Sequence, residues 1–284
     1  MSLAIVSATP VMADIEISNK SVNGAFAIAT SHDATPVCIS SSEAVVVKKV
    51  ANMFADDISR VTGQKPALNN SKKVSGSRVI VIGTLGSNTF IDKLAKQGKL
   101  DVKNIRGGWE QYTIQVVKNP AKGIGEALVV AGSDKRGTAY GTLTISEKMG
   151  VSPFYWWTDV PVKHKKEVWL SGKEVSKSPT VKYRGFFIND EDWGLKTWTS
   201  HTFEKELGDI GPKTYAKVCE LILRLKGNML GPAMHECTGA FYSHPESKLV
   251  ADSLGIMITT SHCEPLLINT ASKWEWDTKR DGEW

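Results

Sequence analysis

The chain has 284 residues, of which 41% are hydrophobic and 23% charged, and its formal net charge is +5. That is the composition of a globular protein with a sizeable core, and it excludes a disordered or collagen-like polymer. Lys and Arg are dispersed, and a short basic group such as Lys163-His164-Lys165-Lys166 reads as a solvated loop face, so no nucleic-acid partner is expected.

No stretch approaches the roughly 20 apolar residues that a membrane-spanning helix needs. At the start, Leu3-Ala4-Ile5-Val6-Ser7-Ala8 has the character of a signal-peptide core, and Val11-Met12-Ala13 has a small-residue cleavage pattern. The charged leader is missing. Residues 1–13 are therefore read as a signal-peptide remnant, and the protein is expected to be extracellular or periplasmic. The four cysteines (Cys38, Cys219, Cys237 and Cys263) are too few for a disulfide scaffold at this size, and buried free thiols are expected.

Residues 14–178 read as a small α/β domain. Residues 25–29 and 37–39 form short apolar strands, and Ser41 or Ser42 is a plausible cap for the helix that follows. Val46, Val47, Val50, Phe54 and Ile58 supply its apolar stripe, and Gly63 closes it. Residues 79–83 are a continuous apolar strand, followed by a helix through Phe90, Ile91 and Leu94. Gly83-Thr84-Leu85-Gly86 between them matches no phosphate-binding pattern and reads as a tight strand-to-helix turn. Strands over 112–117 and 127–131 lead to a helix over 138–148 that ends at Gly150. Phe154-Tyr155-Trp156-Trp157 is read first as core or interface packing and second as a platform for stacking sugars.

Between residues 162 and 178 the chain turns polar and lysine-rich, which places a boundary there. A strand-helix rhythm follows. A strand over 183–188 runs into Asn189-Asp190-Glu191-Asp192-Trp193, and a helix from Pro212 to Lys226 stops at Gly227. A second strand covers 229–234, and a helix over 248–254 stops at Gly255. The third strand, from Ile256, ends in His262-Cys263-Glu264-Pro265. This spacing means parallel βα units. A closed (β/α)₈ barrel takes about 250 residues, so residues 179–284 are read as its first three βα units, an incomplete barrel.

Several stretches resemble glycoside hydrolase family 115 in content and order. They are Ser133-Asp134-Lys135-Arg136-Gly137-Thr138, residues 150–161, Arg184-Gly185-Phe186-Phe187-Ile188-Asn189-Asp190-Glu191, residues 221–228, and Thr260-Ser261-His262-Cys263-Glu264-Pro265. The resemblance covers about residues 79–284. It implies an exported, inverting xylan α-1,2-glucuronidase that removes glucuronic acid or its 4-O-methyl ether from glucuronoxylan. It also implies a first α/β domain like domain 2 of β-hexosaminidases, then a (β/α)₈ catalytic barrel, then further domains through which a homodimer could form. One departure stands out: after Pro232-Ala233-Met234, family members often carry Trp where this chain has His235.

Inverting hydrolysis needs one carboxylic acid and one carboxylate about 6.5–9.5 Å apart. Barrel chemistry sits at the C-terminal ends of strands. Glu191 and Glu264 are accordingly the preferred catalytic pair, with Asp190 a third carboxylate at the same strand end. If the first strand extends that far, alternation puts Asn189 and Glu191 on one side, and His262 and Glu264 likewise. Asp192 reads as a loop cap. Asn189, His262, His235 and Asn269 are substrate-binding candidates, and no cofactor is expected. A uronate carboxylate calls for a cationic partner. Arg184 lies too early in its strand to serve, so that partner is expected beyond residue 284.

Two other classes remain open on the residues. His235-Glu236-Cys237 and His262-Cys263-Glu264 could make this a metal-dependent barrel hydrolase, although alternation lets about two residues of each triplet converge. A carbohydrate-binding role without catalysis is the other. It suits the 284 residues taken alone, since three βα units close no barrel and the piece is expected to be inactive.

Overall fold

The computed structural model describes residues 14–260, except residues 72, 190 and 236 and the side chain of residue 191. The first half is built on a six-stranded sheet. In chain order its strands are β3 (Val37–Ile39), β4 (Leu68–Asn70), β5 (Arg78–Thr84), β6 (Tyr112–Ala121), β7 (Ile124–Gly132) and β9 (Glu174–Val175), arranged β4-β3-β5-β7-β6-β9. The first four in that spatial order are parallel, β6 runs antiparallel to β7, and β9 runs antiparallel to β6 and so in the direction of the first four. Helices α1 (Val45–Thr62), α2 (Thr89–Lys96) and α3 (Lys135–Met149) cover its two faces. That is why β5 is apolar on both sides. Ile80 and Ile82 face the core shared with α1 and α3, while Val79 and Val81 face Ile91 and Leu94 of α2.

The α1 stripe is buried as expected, and Gly63 ends the helix at φ +75°, where its N–H reaches the Ser59 carbonyl at 2.8 Å. The expected serine cap is not used. Ala44 occupies the N-cap without a side-chain bond, and Ser42 Oγ donates instead to the Ser87 carbonyl at 2.8 Å. The serines thus tie the end of β3 to the turn after β5. That turn enters α2 through Asn88, whose side chain accepts from the N–H groups of Phe90 and Ile91.

The lysine-rich stretch at 162–178 is less irregular than its composition suggested. It carries β8 (Val168–Ser171), which lies between β1 (Glu16–Ser18) and β2 (Phe26–Ala29) in a three-stranded antiparallel sheet, and β9 at the edge of the large sheet. In β8, Val168 and Leu170 point into the core while the intervening side chains do not, the period of a half-buried strand.

Beyond it, β10 (Gly185–Phe187), β11 (Met229–Gly231) and β12 (Met257–Ile258) form a parallel sheet in sequence order. Helices α5 (Pro212–Arg224) and α6 (Pro245–Ser253) make the crossovers, each with proline in its first turn. A Cβ at Gly185 would stand 1.7 Å from the Met229 carbonyl oxygen, so the first strand pair depends on glycine there. The strand is shorter than its apolar run. It ends at Phe187, and the chain coils into a π-helical turn (Glu191–Leu195), α4 (Lys196–Trp198) and a second π-helical turn (Thr199–Phe203).

One core runs from the large sheet through α1 and α3 to Tyr215, Ile222, Leu230 and Leu254. Two polar networks cross the same junction. Buried Arg224 reaches Asp57 and Glu220. Buried Glu110 takes Arg136 at 2.7 Å, Arg184 at 2.5 Å and the Asn228 amide at 2.8 Å. Arg184 therefore serves the junction, away from the strand's C-terminal end. No helix among the described residues is long and apolar enough to cross a membrane.

Candidate functional site

The loops that follow β10 and β11 emerge at the C-terminal ends of parallel strands, where open α/β sheets and barrels place their chemistry. Asn189 is exposed just beyond β10. Glu191 opens the π-helical turn, so the strand does not extend that far and the condition for Asn189 and Glu191 to share a side is not met. The cause is the early end of strand pairing: the Ile188 N–H makes the last bond to Gly231, after which the backbone turns helical. Asp190, His262, Cys263, Glu264 and Asn269 lie outside the described residues.

His235 is brought to a partner that spacing did not suggest. Its Nδ1 lies 2.6 Å from Asp192 Oδ2, which joins the loop after β11 to the loop after β10. The Cys237 thiol also hydrogen-bonds to Asp192. That bond and the one to His235 hold the Asp192 carboxyl below its usual range. Asp192 is thus a ligand of two side chains, where sequence reading had it as a loop cap. Cys237 is exposed, against the expectation of a buried thiol. Cys38 and Cys219 are buried as expected, and burial pushes the Cys219 thiol up to about 12, which leaves it unreactive.

A second pair lies deeper. His244 Nε2 sits 2.8 Å from Asp209 Oδ2, and the same oxygen accepts from the Gly239 N–H at 2.9 Å. Trp193, 90% exposed, stands next to Asp192 in the chain and offers an open aromatic face. Among the described residues, no group of three or more His, Cys, Asp or Glu is placed to hold a metal ion.

The aromatic run after α3 packs at the junction. Tyr155 donates to Glu220 at 3.0 Å, and Trp157 Nε1 donates to the Lys217 carbonyl at 3.3 Å. Trp156 meets Trp157, Trp198 and Phe203 with ring centroids 4.9–5.8 Å apart. Tyr155, Trp156, Trp157 and Trp198, with Phe186 and Phe187, line a groove of about 770 Å³.

Comparison with known proteins gives this arrangement its context. Residues 176–284 match the model of glycosyl hydrolase family 115. A solved family GH115 4-O-methyl-α-glucuronidase, with specificity for decorated arabinogalactans, is 39% identical over 85% of this chain, with a TM-score of 0.73. Residues 176–284 belong to glycosyl hydrolase family 115, and the similarity to the solved family enzyme extends over 85% of the chain. The chain spans 31% of the length of that family GH115 enzyme. A mutant β-hexosaminidase of Streptomyces plicatus is 12% identical, with 83% of this chain and 42% of that one covered and a TM-score of 0.47. A GH20 β-N-acetylhexosaminidase from Streptomyces coelicolor is also 12% identical, with 88% and 45% covered and a TM-score of 0.48. Neither likeness bears on the activity of this chain. No curated protein matches it.

Proposed function

We propose that the protein carrying this chain is an exported glycoside hydrolase that removes glucuronic acid, or its 4-O-methyl ether, from glycan side chains. The observation that carries this reading is the 39% identity to a family GH115 4-O-methyl-α-glucuronidase across 85% of the chain. Glucuronoxylan is the substrate implied by the sequence motifs. The relative's specificity for decorated arabinogalactans adds a second backbone that the same uronosyl group could decorate.

In this reading, residues 14–178 are an accessory α/β domain, and β10, β11 and β12 with α5 and α6 are the first βα units of a catalytic (β/α)₈ barrel. Glu191 and Glu264 supply the two carboxylates of an inverting reaction, with Asp190 beside them. One protonates the leaving oxygen and the other activates water, across a gap of about 6.5–9.5 Å that admits the water. Asn189, His235, His262 and Asn269 bind the sugar. No cofactor takes part. Export rests on the apolar run before Ala13, and a homodimer on the resemblance alone.

The test is release of uronic acid from glucuronoxylan and from decorated arabinogalactan by the complete protein, wild type against Glu191→Gln and Glu264→Gln. The reading expects turnover to fall by about 10³-fold or more in each variant with folding intact. Near-normal rates in both would place the chemistry on other residues. No release by wild type from either glycan would remove the glucuronidase reading.

A further inference from the structure

We propose that the accessory domain aligns the barrel: Glu110, with Arg136 and Tyr140 of α3, fixes where β10, β11 and β12 begin and so positions the carboxylates that follow them. The inference rests on the glucuronidase reading, in which Glu191 follows β10 and Glu264 follows β12. An inverting pair must stand about 6.5–9.5 Å apart. Among the described residues β10 and β12 are joined through β11 alone, by three and two residue pairs. So short a ladder specifies register weakly, and a slip of one residue turns every side chain to the other face.

What fixes the register lies at the entry ends of the strands. Buried Glu110 accepts from Arg184 Nη2 at 2.5 Å, one residue before β10, and from the Asn228 side-chain amide at 2.8 Å, one residue before β11. Asn228 Oδ1 in turn accepts from the Arg184 N–H at 2.9 Å. Arg136 Nε donates to Glu110 Oε1 at 2.7 Å, and its Nη1 donates to the Gly255 carbonyl at 3.1 Å, two residues before β12. Tyr140, one turn further along α3, donates to the Gly227 carbonyl at 2.9 Å. One loop residue and one turn of helix thereby hold the starts of three strands.

Glu110 is itself held in place. Its φ is +53°, a left-handed conformation that non-glycine residues seldom adopt and that persists only where the surroundings over-determine it. Asp134 supplies the constraint: Oδ2 accepts the Glu110 N–H at 2.6 Å, while Oδ1 caps α3 by accepting from Arg136 and Gly137. The carboxylate is thus fixed to the start of α3. The other buried network across the junction, Arg224 with Asp57 and Glu220, joins helix to helix and holds no strand. A strand of three residues spans about 10 Å, so a displacement at its entry reaches its exit. An error of about 1 Å between reacting groups costs about 100-fold in rate.

The experiment uses the complete protein and three variants, each assayed where circular dichroism shows it folded. They are Glu110→Gln, Tyr140→Phe, which removes only the hydroxyl at the Gly227 carbonyl, and Val81→Ala, a core truncation on the α2 face of the large sheet. Uronic acid release should fall about 10- to 100-fold in Glu110→Gln, mainly in kcat. Tyr140→Phe should lose about 3-fold, and Val81→Ala should keep the wild-type rate. The N–H groups of Ile188, Met229 and Met257 bond across the three strands. Their hydrogen exchange, relative to that of β5 and β7, should quicken about 10-fold in Glu110→Gln and stay unchanged in Val81→Ala. Equal losses of activity in Glu110→Gln and Val81→Ala would trace the effect to stability and overturn the inference. Wild-type turnover in Glu110→Gln, or an unchanged exchange ratio, overturns it too. Should Glu110→Gln not fold, the same comparisons decide on Tyr140→Phe. If wild type releases no uronic acid from either glycan, the glucuronidase reading fails, and the exchange ratio alone decides whether the accessory domain places the strands.

Discussion

Arg224 of α5 grips Asp57 of α1 with two hydrogen bonds, Nη1 to Oδ2 at 2.9 Å and Nη2 to Oδ1 at 3.2 Å, and both side chains are buried. The two residues are 167 positions apart. They fasten the helix that crosses from β10 to β11 onto the helix that covers the large sheet. Breaking one side of such a pair strands a charge in the interior. Arg224→Met should therefore cost about 3–5 kcal/mol, whereas Asp57→Leu combined with Arg224→Met should cost clearly less. Urea unfolding midpoints of the three proteins check this, and a single variant within about 0.5 kcal/mol of wild type contradicts it.

At Gly185 the constraint is space. A Cβ there would meet the Met229 carbonyl oxygen at 1.7 Å and its carbonyl carbon at 2.6 Å, both backbone atoms of the paired strand. Gly185→Ala must move β10 away from β11, at an expected cost of about 1–3 kcal/mol or more. The same shift displaces the loop that begins at Asn189, so thermal stability and activity should fall together.

Two buried glutamates should act on the pH dependence of stability with opposite sign. Burial raises the Glu43 carboxyl above its usual 4.5, outweighing its bonds to Thr84 and Asn88. The folded state then holds the proton more tightly, so this contribution is complete below the unfolded value and is lost as pH rises through the folded value. For Glu220 burial also pushes upward, but Arg224 and Lys217 outweigh it and the net shift is downward. Its contribution is present above the unfolded value and is lost as pH falls through the folded one. Stability measured from pH 3 to 7 should show Glu43→Gln gaining relative to wild type as pH rises through the region above 4.5. Glu220→Gln should lose its disadvantage as pH falls below that value.

Trp156 joins the run after α3 to the coiled loop after β10 through edge contacts with Trp198 and Phe203, centroids 5.8 and 5.0 Å away. Trp156→Ala removes the centre of that cluster. The ring is half-buried, so the loss should be about 2 kcal/mol, below the 3–5 expected of a fully buried aromatic. Loss of near-ultraviolet circular dichroism from coupled indoles, with helix content retained, is the accompanying signature.

Much of this was legible in the residues. The β-branched run at 79–83, the stripe from Val46 to Ile58, and the glycines at 63, 150 and 255 placed elements within a few positions of where they lie. The spacing of strands and helices after residue 183 announced parallel βα units, and β10, β11 and β12 pair in that manner. Strand β8 was missed because its lysine-rich surroundings outweigh four residues of weak alternation. The coil after β10 was missed because π-helical turns have no sequence period to recognise.

Local physics is written locally, so the sequence by itself determined helices, their stops, the apolar strands and the order of βα units. A glycine stop or an apolar stripe acts over one or two turns of chain. Only tertiary structure decided that Asp192 meets His235, 43 residues away, that Asp57 meets Arg224, and that Arg184 meets Glu110. Each of those pairings depends on where whole elements pack, which is set by the sum of many buried contacts and leaves no mark at either residue alone.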